Sequence, residues 1–278
     1  MSNLPPWLIK RTPKSENIRN IRDLIGDDVH TVCESAKCPN IGECYSNKTV
    51  TFMILGDICT RGCKFCAVKH GIPAQPDPME PANLALAAKK LNLRYAVVTS
   101  VTRDDLPDGG ASYFAKTIYE LRKTNYDIKV EVLVPDFKGK EEYLKVVIDA
   151  NPDVLNHNIE MVPRLYGSIR PRSNYYTSIN LLKTAKKIDP NAVTKSGFML
   201  GLGEKDEEVT RLIGELKGTG TDILTIGQYI APSQENAKVV EYVNPEKFDR
   251  YRDFALKMGF KRVLSGPFIR SSYIAGTY

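Results

Sequence analysis

Histidine and tryptophan are scarce in this chain: His30, His70 and His157 are its three imidazoles, and it has one tryptophan in 278 residues. Two of these, His30 and His70, lie near cysteines, so counting alone leaves a Cys3His zinc site open. No apolar run approaches the roughly 20 residues needed to span a bilayer. The opening MSNLPPWLIKRTPK has no apolar stretch of signal-peptide length, so neither export nor membrane residence is expected. Blocks of like charge are missing too. The net charge of +6, from 39 basic and 33 acidic residues, is spread along the chain and argues against nucleic acid as a partner. Composition is that of an ordinary globular enzyme, and the length suits one α/β barrel.

Cysteine is also sparse, but its six copies form two tight groups. Cys33, Cys38 and Cys44 are spaced C-x4-C-x5-C within TVCESAKCPNIGEC; Cys59, Cys63 and Cys66 are spaced C-x3-C-x2-C within DICTRGCKFCAV. Six thiols allow about fifteen disulfide pairings, but disulfide frameworks belong to small secreted domains. Closely spaced thiols without an export signal point instead to a reducing cytoplasm. Structural zinc usually takes four ligands, commonly from C-x2-C pairs, and neither triad supplies four. Three thiolates on an iron–sulfur cluster leave one iron open to another ligand. Two even triads, with Phe65 before the last cysteine of the second, favour iron–sulfur chemistry over zinc.

Residues 1–48 read as irregular, with Pro5, Pro6, Pro13 and Pro39, and carry the first triad. Beyond them, short β-branched runs at 49–55, 95–101, 128–134, 153–159, 192–200, 222–229 and 262–268 alternate with helical patterns at 80–91, 110–124, 140–150, 178–188, 207–218 and 245–258. Strands apolar almost throughout, alternating with helices, predict a parallel sheet covered by helices and curled into a full or partial barrel. Chemistry in such barrels sits at the C-terminal strand ends. The second triad follows the first strand there, and Arg103, Asp104, Asp136, Asn158, Glu160 and Lys195 fall at or near later strand ends.

The motif CTRGCKFC after the first strand of such a barrel resembles the radical S-adenosylmethionine (SAM) superfamily. TVCESAKCPNIGECYS, VVTSVTRDDLPDGGAS, NHNIE, TKSGFMLGLGEKDEEV, DILTIGQY and SGPFIRSSY, in order from about residue 5 to 275, are similar to the lipoyl synthase family. The resemblance implies a partial parallel (β/α) barrel over residues 49–260, with an N-terminal extension (1–48) and a C-terminal segment (261–278) forming an auxiliary cluster site. It implies two 4Fe–4S clusters: Cys59, Cys63 and Cys66 for the SAM cluster, and Cys33, Cys38 and Cys44 for the auxiliary one. A serine of Arg270-Ser271-Ser272-Tyr273 completes the auxiliary site, and either Ser271 or Ser272 fits. The implied reaction inserts two sulfur atoms at C6 and C8 of a protein-bound octanoyl-lysine, with the auxiliary cluster as sulfur donor and two SAM per lipoyl group. Implied partners are octanoylated lipoyl carrier domains (2-oxoacid dehydrogenase E2 subunits and the glycine cleavage H protein), an electron donor such as flavodoxin or ferredoxin, and an iron–sulfur carrier protein.

Asn158, Glu160 and Lys195 are expected to bind SAM, although Glu160 equally suits a local pairing and Lys195 equally suits a protein carboxylate. Gly109 and Gly110 suit either a close approach to SAM or a turn before a helix. Arg170 and Arg172 read as solvent-facing, and His157 as a satisfied barrel histidine. The chain departs from the family pattern at Asn236, where a histidine is expected, and at Met161, where threonine is usual. A biotin-synthase-like sulfur inserter leaves the first triad and RSSY unexplained. A zinc-stabilised RNA- or protein-binding module leaves the barrel unexplained as well.

Overall fold

The computed structural model describes residues 4–10, 15–273 and 275–276. The N-terminal region is more regular than expected, with α1 (Ser15–Ile25), β1 (His30–Thr31), α2 (Val32–Ser35) and α3 (Ile41–Ser46). Helix α1 forms because Ile18, Ile21, Leu24 and Ile25 recur at helical spacing. Ile21 and Ile25 are buried in the core, with Ile18 and Leu24 packed against it.

The barrel follows the expected alternation within a few residues. Its elements are β2 (Thr51–Ile54), a small ribbon of β3 (Ile58–Cys59) and β4 (Lys69–His70), α4 (Glu80–Lys90), β5 (Tyr95–Ser100), α5 (Ala111–Thr124), β6 (Lys129–Leu133), α6 (Glu141–Asp149), β7 (Val154–Asn156), α7 (Pro163–Ile169), α8 (Tyr175–Ile188), β8 (Thr194–Leu200), α9 (Asp206–Gly218), β9 (Ile223–Gln228), α10 (Pro245–Lys257) and β10 (Arg262–Gly266). The sheet order is β1-β2-β5-β6-β7-β8-β9-β10. All its pairings are parallel except β1 with β2, where His30 lies opposite Met53. Parallel winding with helical crossovers gathers the strand C-termini at one end. Among the described residues β1 and β10 do not pair, so the barrel is partial.

The chain's two ends meet at that open side. Gln228 N–H donates to Pro267 O at 3.4 Å. A Cβ on Gly227 would fall 2.1 Å from Ile269 O, so glycine is required where the C-terminal segment crosses β9. The segment reaches the start of β5, where Gly276 lies against the Tyr95 ring.

Lys195, on the second residue of β8, donates to Glu131 Oε1 at 2.9 Å, and both side chains are 0% exposed. Asn156 Nδ2 and the Tyr95 hydroxyl also donate to that carboxylate, at 3.0 and 2.8 Å. Lys195 therefore has a carboxylate partner from within the protein. Of the two expected partners, SAM or a protein carboxylate, the structure supplies the second. Burial pulls the Lys195 ammonium below its ordinary pKa, against the pull of Glu131.

Removing one partner of a buried ion pair typically costs about 3–5 kcal/mol. Lys195→Met should therefore lower unfolding stability by about that much, read as a shift in the urea midpoint. SAM affinity of the folded fraction should stay unchanged.

Candidate active site

The second triad lies on the loop after β2, and the barrel rim grips that loop from three sides. From β5, Thr60 N–H and Oγ1–H both donate to Thr102 O, at 3.0 and 2.9 Å. From the far side, Lys64 N–H donates to Ile169 O at 2.9 Å, and Arg172 Nη1 donates to Thr60 O at 2.7 Å. From the chain after β9, Ala237 N–H donates to Lys64 O at 2.7 Å. Asn236, the departure from the family pattern, donates through Nδ2 to Cys66 O at 3.0 Å and Lys64 O at 3.2 Å. It thus supports the loop without an imidazole. Met161, the other departure, is buried in the core.

Between the first two cysteines of the loop sits Arg61, only 7% exposed. Its guanidinium forks to Asp104 (Nε at 2.7 Å, Nη2 at 2.9 Å) and to Asp136 (Nη1 at 2.6 Å, Nη2 at 2.8 Å), and Nη1 also reaches Ser173 Oγ at 3.2 Å. Burial alone would raise the Asp136 carboxyl, but the Arg61 bonds and charge win and hold it below its usual value. This clamp ties the cysteine loop to the ends of β5 and β6 with planar, bidentate geometry. Both aspartates follow strand ends, as expected, and their convergence on Arg61 arises because β5 and β6 lie side by side.

Glu160 follows β7 with φ of 71°, in the left-handed region. Its N–H donates to Gly197 O at 3.0 Å and its carbonyl accepts from Met199 N–H at 2.8 Å, which extends the β7–β8 pairing past the strand end. The carboxyl lies within electrostatic reach of Cys63 and Cys66, and burial raises its pKa. Arg170, expected in solvent, instead packs 5.2 Å over the Tyr166 ring, bonds the Tyr166 hydroxyl at 3.1 Å and approaches the Cys63 thiol. Its Nε is buried without a partner among the described residues. Gly110 favours the turn reading: its φ is 88°, it caps α5, and a Cβ there would strike Leu55 at 2.3 Å.

The first triad lies on α2, α3 and the turn between them, held by the other end of the chain. Asn40 Nδ2 donates to Phe268 O at 2.7 Å, and the Tyr273 hydroxyl donates to Glu43 Oε1 at 2.6 Å. Lys10 bonds Asn40 and Glu43 at 2.7 and 2.8 Å and lies 4.4 Å over the Phe268 ring. The Arg270 guanidinium feels Cys38, and the Tyr273 hydroxyl feels Cys44. Ser271 Oγ lies 2.6 Å from Asn158 Nδ2 and 2.8 Å from Asn158 Oδ1. RSSY therefore stands between the two triads, touching the surroundings of both.

All six cysteines are free thiols. Within each triad the thiols influence one another electrostatically. Burial raises Cys33 and Cys66 to about 12 and Cys44 to about 11, so these thiols stay protonated until a metal displaces the proton. Among the described residues, no three His, Cys, Asp or Glu side chains converge closely enough to hold one metal ion. A cluster makes no such demand, because its thiolates bind separate irons. Arg61 N–H already points at Cys59 Sγ, 3.4 Å away, the kind of amide–sulfur contact that tunes such clusters. The donor set fits two three-thiolate clusters.

A family model described as Radical SAM superfamily matches residues 53–216. The chain is 54% identical over 271 residues to a lipoyl synthase of Caldanaerobacter subterraneus subsp. tengcongensis, covering 98% of this chain and 95% of that one. It is 53% identical to a lipoyl synthase of Rubrobacter xylanophilus, covering 98% and 85%. Among solved structures, that of methylornithine synthase superposes with a TM-score of 0.58 at 12% identity, over 76% of this chain and 70% of that one, a likeness of fold.

Two outcomes follow from this geometry. Arg61→Ala should destabilise the protein by about 3 kcal/mol, since it strands buried Asp136. Arg61→Lys should recover only part, because an ammonium cannot fork to two carboxylates. Denaturant midpoints of the cluster-free proteins check both. The second outcome concerns His157, 2% exposed, whose Nδ1 meets Val134 O at 2.8 Å and whose Nε2 has no partner among the described residues. Burial lowers its pKa to about 4; the Val134 carbonyl and Asp136 oppose this, while Arg170 and Arg61 reinforce it. An unfolded histidine takes its proton near pH 6.5, so below that pH the unfolded chain binds more protons. Stability from this residue is therefore full above pH 6.5 and falls toward pH 4. The loss at pH 5 is about 2 kcal/mol, and His157→Gln should remove that part of the difference between pH 7 and pH 5.

Proposed function

The chain belongs to the lipoyl synthase family of the radical SAM superfamily, and from that premise we propose how its own residues divide the work. The enzyme inserts two sulfur atoms, at C6 and C8, into an octanoyl chain amide-linked to a lysine of a carrier protein. When bound, two 4Fe–4S clusters and SAM (two per lipoyl group) supply the radical that breaks each C–H bond and the sulfur that replaces it, the auxiliary cluster being the sulfur donor.

Cys59, Cys63 and Cys66 hold the SAM cluster in this reading, on a loop fixed by Arg61, Arg172 and Asn236. Asn158 and Glu160 border that loop and offer an amide and a carboxyl to the polar groups of SAM, while Arg170 beside Cys63 offers a half-buried cation. Cys33, Cys38 and Cys44 hold the auxiliary cluster. Ser272 is the better serine for it, because Asn158 already engages Ser271, while Ser272 adjoins Tyr273, whose hydroxyl senses Cys44. An alkoxide is a poorer match for iron in a cluster than thiolate, which suits a ligand that must leave. The observation that carries the reading is this meeting of a thiol triad with a serine-bearing segment at the barrel's open side.

Residues 1–48, 49–260 and 261–278 thus act as a ligand-bearing extension, a SAM barrel and a closing segment. Carrier domains of 2-oxoacid dehydrogenase E2 subunits and the glycine cleavage H protein are the proposed substrates. Flavodoxin or ferredoxin is the proposed reductant, and an iron–sulfur carrier the proposed source of fresh cluster. Among the described residues no helix is long and apolar enough to cross a membrane. Six free thiols suit a reducing compartment, and we place the enzyme in the cytoplasm.

An anaerobic single-turnover assay with SAM, a strong reductant and an octanoyl-lysine peptide tests the division. Wild type should give two 5′-deoxyadenosines and a peptide gaining two sulfurs. Cys38→Ala should keep deoxyadenosine formation, lose sulfur insertion and bind half the iron; Cys59→Ala should lose both products. Sulfur insertion by Cys38→Ala at the wild-type level would overturn the assignment of the first triad.

A further inference from the structure

Ser271 and Ser272 are adjacent in sequence but face different surroundings. We propose that Ser271 is a positioning residue whose hydroxyl latches the C-terminal segment to Asn158, so that SAM binding and seating of the auxiliary-site serine reinforce each other. The proposal rests on the reading of Asn158 as a SAM contact and of Ser272 as the iron ligand.

The geometry behind it is local. Asn158 stands just beyond β7, two residues before Glu160, whose carboxyl lies within reach of Cys63 and Cys66. Its amide lies close enough to hold the Glu160 carboxyl down against the effect of burial. The same amide meets Ser271 Oγ through both Nδ2 and Oδ1, at 2.6 and 2.8 Å. One residue further on, the backbone carries Ser272 beside Tyr273, whose hydroxyl senses Cys44. A single hydroxyl–amide contact between residues 113 apart in the chain thus joins the surroundings of the two cysteine groups.

An asparagine amide can flip end for end and present donor or acceptor to the same partner. Ser271, whose hydroxyl touches both ends of the amide, holds its plane in place. SAM arriving at that amide then meets a group already ordered, and SAM once bound keeps Asn158 from releasing the latch. Ordering by one ligand that lowers the cost of ordering for another is positive coupling, and coupling of binding equilibria is reciprocal. Ser271→Ala should therefore weaken SAM binding by the same factor by which it removes the SAM-induced protection of the segment.

Hydrogen exchange on the reconstituted holoenzyme, followed by mass spectrometry with and without SAM, reads this directly. Equilibrium SAM binding to the same proteins gives the second readout. In wild type, SAM should slow exchange across residues 267–273 and across 157–160. In Ser271→Ala, exchange across 267–273 should rise about fivefold before SAM is added, within the range a single net hydrogen bond supports. SAM should then leave 267–273 unchanged while still protecting 157–160. Ser271→Thr, which keeps the hydroxyl, should restore the wild-type response. Wild-type exchange and an unchanged SAM Kd in Ser271→Ala would overturn the latch and leave the Asn158 reading intact. Absence of SAM protection at 157–160 in every protein would overturn both.

Discussion

A sheet that curls toward a barrel without closing leaves unpaired strand edges, and such edges must be covered. Here the cover comes from the chain's own ends. The N-terminal region lends β1 antiparallel to β2, and the segment after β10 crosses β9 at Gly227 and continues to Tyr95 on β5. The first cysteine triad lies in this seam, on helices too short to hold shape alone. Its support is the contact of Asn40 and Glu43 with Phe268 and Tyr273, with Lys10 laid across both. The first triad therefore takes its shape only where the N-terminal region and the segment after β10 meet.

The barrel buries charge at two levels for different ends. Lys195 and Glu131, fully enclosed in the inner wall, form an ion pair whose carboxylate also accepts from Asn156 and Tyr95, a polar layer among apolar neighbours. Arg61 works at the opposite end. It brings a cation into the cysteine loop and gives all its hydrogen-bonding capacity to Asp104, Asp136 and Ser173, so the loop is fixed before any metal arrives. Sites assembled on rigid supports hold their geometry better than sites on free loops.

Much of this was legible in the residues. Apolar strands such as YAVVTS and TKSGFML, alternating with amphipathic helices, announce a parallel barrel, and their observed bounds differ from the expected ones by a few residues. The cysteine spacing and RSSY pointed to the site. What escaped was whatever depends on strand register and long-range packing. Helix α1 has a readable apolar stripe but sits among prolines and polar residues that masked it. The proximity of Asp104 and Asp136 to Arg61 arises only once β5 and β6 lie side by side. Arg170 looks like a surface cation in IRPRS, and only the return of α7 onto the cysteine loop turns it inward. Lys195 called for a carboxylate, and Glu131 could be identified only after β6, β7 and β8 were aligned.

Glu160 combines two demands that favour different amino acids. Its backbone occupies a left-handed conformation in which glycine and asparagine are most at ease and a long side chain is not. Its carboxyl, near Cys63 and Cys66, is the group that the proposed SAM contact calls for. Evolution under selection for stability alone would drift away from glutamate at this position, whereas selection for turnover would restore it. A comparison of such populations would separate, at one residue, what the fold prefers from what the reaction requires.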